Sequence, residues 1–208
     1  MLGEVRGVNS RFIEEAVPYN GVELRSGWIR ELSGLEGDAI VAFHGPCSVK
    51  GDALVDLEDL EAGLTVEGDS MLHFIAEISG VGLPGIAFLQ RLLCIIAGNA
   101  VEEAWGRAGE DESGSKGRRR VRRDGDDLYV GDGKLSVSIA TVSPVSGAPE
   151  SGLIHLGLNI TTAGVPVRAA CLEDLGVDYR RLAPSILAGF VREVEGGLHA
   201  SGKVKRVP

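Results

Sequence analysis

The sequence predicts an α+β fold in which a mixed, largely antiparallel sheet is covered by helices. Short strand candidates separated by glycine turns lie together in the second half of the chain. Helix candidates are grouped rather than alternating one by one with strands, which argues against a doubly wound parallel sheet. With 208 residues, 44% of them apolar, the chain is long enough to bury a core, and we expect a single domain over residues 1–208.

The first half of the chain opens with turn residues at 18–21, Pro-Tyr-Asn-Gly. An apolar run at 39–43 predicts a buried strand that ends at His44, which would place polar groups at the rim of a sheet. Apolar residues at three and four spacing predict helices further on, and Pro84 suits the entry of the last one. The predicted elements are a helix at 23–32, strands at 39–43 and 53–57, and helices at 71–78 and 86–105.

The second half begins with a charged loop at 106–124, acidic and then basic, which we expect to be mobile without a ligand. Three strand candidates follow at 128–130, 135–142 and 153–160, and the first two are joined by a Gly-Asp-Gly turn typical of a tight hairpin. Together they predict a meander within one mixed sheet. A last helix is predicted at 180–194, with Asp178 as its cap.

The composition argues against several classes of function. A net charge of −9 repels polyanions, so we expect no bulk nucleic-acid binding. Three widely spaced cysteines form neither a disulfide framework nor a zinc pattern, which fits a reducing compartment. The first residues do not resemble a signal peptide, and Gln90, Arg91 and Asn99 interrupt the apolar stretch at 83–101, so no membrane association is expected. We therefore predict a cytoplasmic protein.

The most informative motif surrounds Lys134. Residues 126–136 have the sequence Asp-Asp-Leu-Tyr-Val-Gly-Asp-Gly-Lys-Leu-Ser, and residues 153–160 have the sequence Leu-Ile-His-Leu-Gly-Leu-Asn-Ile. In this order the two segments resemble those of biotin protein ligases that carry the catalytic lysine and the strand after it. The resemblance implies that Lys134 is catalytic, because a fixed ammonium stabilises the negative charge that develops during acid activation or acyl transfer. The alternative is a lysine that only solvates a turn.

A second resemblance is to the octanoyltransferases. Residues 43–47, Phe-His-Gly-Pro-Cys, and the run at 53–57 are similar to the segment whose histidine and glycines line the acyl pocket of those enzymes. This implies that His44 and Gly45 line such a pocket. Cys171 lies roughly where those enzymes carry their acyl-accepting cysteine, although Ala-Cys-Leu stands in place of their Pro-Cys-Gly. Cys171 is therefore either a catalytic candidate or a buried, unreactive cysteine.

Over nearly its full length the chain also resembles an uncharacterised archaeal family, the domain of unknown function 366. That family is grouped by fold with the biotin and lipoyl protein ligases and the class II aminoacyl-tRNA synthetases. Residues 24–29, 71–75 and 134–141 carry the resemblance, which implies a ligase-like fold and no particular activity. The candidate substrate-binding residues are Arg25, Ser26, His44, Gly45, Asp126, Asp127, Ser138, His155 and Asn159.

Two functions remain open. The first is a ligase or acyltransferase that activates or transfers the acyl group of a small carboxylic acid, with Lys134 as charge stabiliser and an acyl-carrier protein as a candidate partner. ATP is a candidate cofactor, yet the chain lacks the Gly-Arg-Gly-Arg run with which biotin ligases hold the acyl-adenylate, and only the basic run at 116–123 could replace it. The second is a binding module on the same fold without chemistry. Either could be a homo-oligomer, and no metal site is predicted.

Overall fold

The computed structural model describes residues 7–108, 120–205 and 207. Within this part of the chain there are two sheets and four α-helices. The main sheet contains β1 (Asn9–Ala16), β2 (Ala39–Val49), β3 (Val66–Ser79), β7 (Ser136–Ser143) and β8 (Ser151–Asn159). The smaller sheet contains β4 (Arg122–Asp124), β5 (Asp127–Val130) and β6 (Gly133–Lys134). The helices are α1 (Trp28–Ser33), α2 (Leu57–Glu61), α3 (Gly82–Ala108) and α4 (Tyr179–Gly202), with a 3₁₀ turn at Gly51–Ala53.

The main sheet is mixed and largely antiparallel. Its strand order is β1-β2-β3-β8-β7, in which β1 and β2 run parallel and each other neighbouring pair runs antiparallel. The central strand β3 pairs with β2 on one side and with β8 on the other. The predicted α+β class is therefore confirmed.

Helices α3 and α4 cover one face of the main sheet. Their inward side chains, including Leu93, Val101 and Phe190, are buried in one cluster with residues of β2, β3 and β8. As predicted, Asp178 caps α4, because its Oδ1 accepts the N–H of Arg180 at 2.9 Å. By length and composition alone, residues 82–107 could also cross a membrane. One face of this helix packs in the core cluster against the sheet, and 39% of its apolar window is buried.

The opposite face of the sheet carries a second core cluster. Phe43, Met71 and Ile75 point to this face, and α1 packs over part of it. Helix α1 is shorter than predicted because Gly27 and Gly34 bound it with φ values of 80° and 71°. Beyond α1, towards β7 and β8, this face forms the wall of a cleft.

Two predicted elements of the first half have the wrong type. Residues 71–78 belong to strand β3 and not to a helix, because a central strand covered on both faces is apolar on both sides, and such a run imitates helical spacing. Residues 53–57, predicted as a strand, instead connect the 3₁₀ turn, which ends at Ala53, to α2, which begins at Leu57. Asp56 caps that helix by accepting the N–H groups of Glu58 and Asp59.

Several predicted boundaries also change. Strand β2 continues through His44 to Val49, so His44 lies within a strand and not at the rim of the sheet. Strands β7 and β8 are adjacent as predicted, whereas β5 pairs with β4 and β6 in the smaller sheet, so the predicted single meander is wrong for β5. Residues 106–108 complete α3 and Arg122–Asp124 form β4, which shortens the predicted loop, and its residues 109–119 lie outside the described part of the chain.

Candidate functional site

Lys134 lies in β6, directly after the glycine turn that the sequence predicts. Gly131 in this turn has a φ of 57°, a left-handed conformation that glycine adopts without a steric penalty. Gly133 packs against a neighbouring segment so closely that an added Cβ would lie 2.8 Å from the carbonyl carbon of Ala169. The two glycines therefore allow the tight approach that positions Lys134.

The main chain of Lys134 is held from both sides. Its N–H donates to the carbonyl of Arg168 and its carbonyl accepts the N–H of Ala170, both at 3.0 Å. The amide of Asn159, buried at the end of β8, donates to the carbonyls of Lys134 at 3.0 Å and Ala170 at 3.2 Å. Asn159 thus joins the main chain of Lys134 to that of Ala170, and the residue itself lines the cleft.

The ammonium of Lys134 is fixed by a carboxylate. Its Nζ lies 2.8 Å from Asp127 Oδ2, and the two side chains are 30% and 26% exposed. The hydroxyl of Tyr129 donates to the same carboxylate oxygen at 3.4 Å. A partly buried pair with a second hydrogen bond loses less to solvent screening than an exposed pair does, so it restrains the ammonium more firmly.

Lys134 and Asp127 lie at the edge of a cleft of about 560 Å³. Its wall is formed by β7, β8 and the start of β3, and α2 and the segments beside it form the opposite rim. The rim contributes apolar side chains such as Leu54, Leu64 and Val167 and also polar ones, Asp56, Asp59, Thr65 and Glu67. The candidate residues from the sequence that line this cleft are Asp126, Asp127, Lys134, Ser138, His155 and Asn159.

Asp126 and Ser138 are joined through a helix residue. Gln90 of α3 donates from Nε2 to Asp126 Oδ2 at 2.6 Å and to Ser138 Oγ at 2.8 Å. Ser138 Oγ in turn donates to the backbone carbonyl of Asp126 at 2.9 Å. These hydrogen bonds connect helix α3 to the strand β7 of the cleft wall and to Asp126. They restrain the position of the Asp126 side chain.

His155 belongs to a buried aromatic group on the cleft wall. Its Nε2 lies 3.0 Å from Nδ1 of His73, and Nε2 of His73 lies 3.2 Å from the carbonyl oxygen of Gly45. The ring of His155 also stacks on Tyr19, with centroids 3.8 Å apart. Burial lowers the pKa of His73 to about 4 and lowers the pKa of His155 well below its usual value, so both rings are neutral at pH 7.

Four of the candidate binding residues lie away from the cleft lining. Ser26 donates to Glu77 at 2.7 Å and Arg25 pairs with Glu31, both beyond α1 on another part of the surface. His44 points to the helix face of the sheet, where its ring packs against Tyr179. Gly45 contributes only its carbonyl to His73, and a Cβ at Gly45 would lie 2.1 Å from the carbonyl oxygen of Val17.

Cys171 is also separated from the cleft lining. The residue is only 2% exposed and follows the segment that holds the main chain of Lys134. Burial raises the pKa of its thiol, which disfavours the thiolate that acyl transfer would need. This environment is that of the buried, unreactive cysteine that the sequence left as the alternative.

Sequence reasoning missed three residues of the cleft or its supports. Tyr19 was assigned only to a turn, Gln90 only to an interruption in an apolar stretch, and His73 only to a predicted helix. A polar residue on the inward face of an apolar helix is the one pattern that could have indicated Gln90. The stacking of Tyr19 on His155 joins residues 136 positions apart, and nothing in the local sequence indicates it.

Two arginines of the basic run, Arg122 and Arg123, make local contacts. Arg122 stacks on Tyr129 at 4.4 Å from the ring centroid and pairs with Asp124 at 3.1 Å. Arg123 donates to the carbonyl of Gly125. Among the residues that the structure describes, no three His, Cys, Asp or Glu side chains are grouped to hold a metal ion.

The fold is that of the lipoate protein ligases. A crystal structure of lipoate-protein ligase A bound with ATP superposes with a TM-score of 0.56 at 15% identity, covering 93% of each chain. At this identity the similarity concerns the fold alone.

The chain belongs to the family described as domain of unknown function (DUF366), whose model matches residues 8–205. An uncharacterized protein of Methanocaldococcus jannaschii is 29% identical over 191 residues, which cover 88% of this chain and 78% of that protein. The structure of a protein of unknown function from Pyrococcus horikoshi is 35% identical and superposes with a TM-score of 0.80, covering 96% of this chain and 100% of the other. Neither of these two relatives has a named activity, so the comparison gives the family and no particular chemistry.

Proposed function

We propose that this protein binds a small carboxylic acid in the cleft and activates or transfers its acyl group, with Lys134 stabilising the negative charge of the reacting oxygens. The observation that carries the proposal is the lysine itself, fixed by Asp127 at 2.8 Å at the edge of a cleft of about 560 Å³. An ammonium has three donors, so Lys134 can keep Asp127 and still bond an anionic oxygen of the ligand. A preorganised charge of this kind costs no reorganisation during the reaction.

The shape of the cleft suits an acid with an apolar body. Leu54, Leu64 and Val167 offer apolar surface opposite the sheet, and Lys134 offers the positive charge at one edge. A ligand whose carboxylate meets the lysine would lay its chain along β7 and β8. The similarity in fold to a lipoate-protein ligase agrees with an acid of medium length.

Activation by ATP is favoured over a thioester on Cys171. In an ATP route, a carboxylate oxygen of the acid bonds to the α-phosphorus and pyrophosphate leaves, and Lys134 can neutralise charge on both partners. A thioester route needs an accessible thiolate, whereas Cys171 is buried and its pKa is raised. An acyl-carrier protein in the cytoplasm is the acceptor that fits this chemistry.

The test compares Lys134→Ala with Lys203→Ala, a control that removes an exposed lysine at the end of α4. Each protein is incubated with ATP and either octanoate or lipoate, and pyrophosphate release is followed. Lys134→Ala is expected to lower the rate on the order of a hundredfold with little change in melting temperature. Lys203→Ala and Cys171→Ser should retain the wild-type rate.

The outcomes separate the two functions that the sequence left open. If the wild type binds an acid in calorimetry in a Lys134-dependent way and releases no pyrophosphate, the protein is a binding module. If Cys171→Ser abolishes acyl transfer, the thioester route replaces the ATP route. Equal rates for wild type and Lys134→Ala would overturn the role of the lysine.

A further inference from the structure

The pair of His73 and His155 fixes where the protons lie on two buried rings. The carbonyl oxygen of Gly45 can only accept, so Nε2 of His73, at 3.2 Å from it, carries a proton. Both rings are almost completely buried, so the charged, doubly protonated form of His73 is disfavoured. Nδ1 of a neutral His73 is therefore an acceptor.

The accepting Nδ1 of His73 also fixes the proton position on His155. Its Nε2 lies 3.0 Å from the accepting Nδ1 of His73, so Nε2 of His155 must donate. The ring is neutral as well, which leaves Nδ1 of His155 without a proton. In the described part of the chain no hydrogen bond to this nitrogen is found, and the ring lines the cleft. Because the nitrogen is not among the fully buried side-chain atoms that lack a partner, it is accessible from the cleft.

Tyr19 adds a second polar group to the same wall. Its ring stacks on His155 at 3.8 Å and an angle of 15°, and the residue also lines the cleft although it is 3% exposed. Burial raises the pKa of Tyr19 well above its usual value, so the hydroxyl stays protonated and can both donate and accept. The stacked rings therefore bring an acceptor nitrogen and a neutral hydroxyl to the same wall of the cleft.

We infer that His155 and Tyr19 recognise a neutral hydroxyl or amide group at the end of the ligand remote from its carboxylate. The ligand group donates to Nδ1 of His155, and its oxygen can accept from Tyr19. His73 is a positioning residue that holds His155 in the accepting tautomer. The inference rests on the proposed function, since it places the carboxylate of the same ligand at Lys134.

The strand register sets the length of this ligand. Asn159, which holds the main chain of Lys134, lies four residues beyond His155 on β8. At roughly 3.3 Å per residue the backbone positions of these two residues are about 13 Å apart along the strand. A straight-chain acid of medium length with a terminal hydroxyl spans this distance, whereas an unsubstituted acid would leave its methyl end against the unpaired nitrogen.

The ligand test uses octanoate and decanoate with their ω-hydroxy derivatives as probes, measured by calorimetry. Wild-type protein is expected to prefer one of the hydroxy acids over its parent about tenfold, because an unpaired buried acceptor costs more than a satisfied one contributes. Tyr19→Phe should reduce this preference. His155→Phe should abolish it while the parent acid still binds, since a phenyl ring preserves the stacking on Tyr19.

His155→Phe leaves Nδ1 of His73 without a donor, so the double variant His73→Phe with His155→Phe is made alongside it to remove both partners. Nitrogen-15 spectra of the histidine side chains test the protons directly, with the four histidines of the chain assigned by single substitutions. Both buried rings are expected in the Nε2-protonated form. A proton on Nδ1 of His155, or equal affinity for each acid and its hydroxy derivative, overturns the inference and leaves the proposed function intact. Binding of none of the acids overturns both.

Discussion

Replacing Asn159 tests whether the main chain behind Lys134 depends on one buried amide. Asn159 is 4% exposed and donates to two carbonyl oxygens, those of Lys134 at 3.0 Å and Ala170 at 3.2 Å. Asn159→Ala removes both bonds, and the carbonyl of Lys134 keeps only the N–H of Ala170. The lost bond to Lys134 costs about 1 kcal/mol and the unpaired carbonyl of Ala170 a further 1–3 kcal/mol, so the free energy of unfolding should fall by roughly 2–4 kcal/mol.

Asn159→Asp tests the same two hydrogen bonds without a change in volume, because the two side chains have nearly the same size. The substitution replaces a donating NH₂ with a carboxylate oxygen that faces the same two carbonyl oxygens, so repulsion is added to the loss of both bonds. Asn159→Asp should therefore be less stable than Asn159→Ala, although it leaves no cavity. Its matched control is Asn99→Asp on the exposed side of α3, for which we expect a change within about 0.5 kcal/mol.

Urea unfolding at pH 7.5, followed by tryptophan fluorescence, measures all three variants. Midpoints should decrease in the order wild type, Asn159→Ala, Asn159→Asp, with the Asn99→Asp midpoint close to wild type. Stability of Asn159→Asp equal to or above that of Asn159→Ala would refute the assignment of Nδ2 to the two carbonyls. A change in the slope of unfolding would instead indicate an altered denatured state, which the same data reveal.

Three further predictions follow from packing and burial. Gly133→Ala should destabilise the protein severely in thermal unfolding, because its Cβ would lie 2.8 Å from backbone atoms of the neighbouring segment. Gly106→Ala in helix α3 has no atom within 4 Å of the added Cβ and should stabilise the protein by up to about 1 kcal/mol in the same measurement. Native protein at pH 8 should react with a thiol reagent only on unfolding, since burial raises the pKa of Cys47 to about 12 and of Cys94 to about 11; fast labelling of the folded protein would contradict this. Between pH 6.5 and 4 the unfolded chain protonates His73 while the folded chain does not. The free energy of unfolding should therefore decrease as the pH is lowered, by up to roughly 1.4 kcal/mol per pH unit for this residue. The double variant of both buried histidines should show a weaker pH dependence in urea titrations at pH 7, 6 and 5.

Local sequence patterns determined much of the second half of the fold. The Gly-Asp-Gly turn, the strands on either side of it and the helix capped by Asp178 all follow from short-range rules of turn chemistry, alternation and capping. The α+β class followed from how these elements are grouped. The type of residues 71–78 did not, because burial on both faces of β3 removes the alternation that identifies a strand.

In the site, too, some contacts follow from the local sequence and others only from the tertiary structure. The sequence by itself placed Lys134 after a glycine turn and Asp127 close to it, since residues seven apart across a hairpin are brought together by the turn alone. Only the tertiary structure placed Tyr19 and His73 beside His155, and Gln90 between Asp126 and Ser138. These contacts join the segment before α1 and the turn before β5 to β3, β7, β8 and α3. Their geometry depends on sheet order and helix packing, which no window of sequence contains. For the same reason His44 points to the opposite face of the sheet, and Arg25 and Ser26 lie beside α1 on another part of the cleft face.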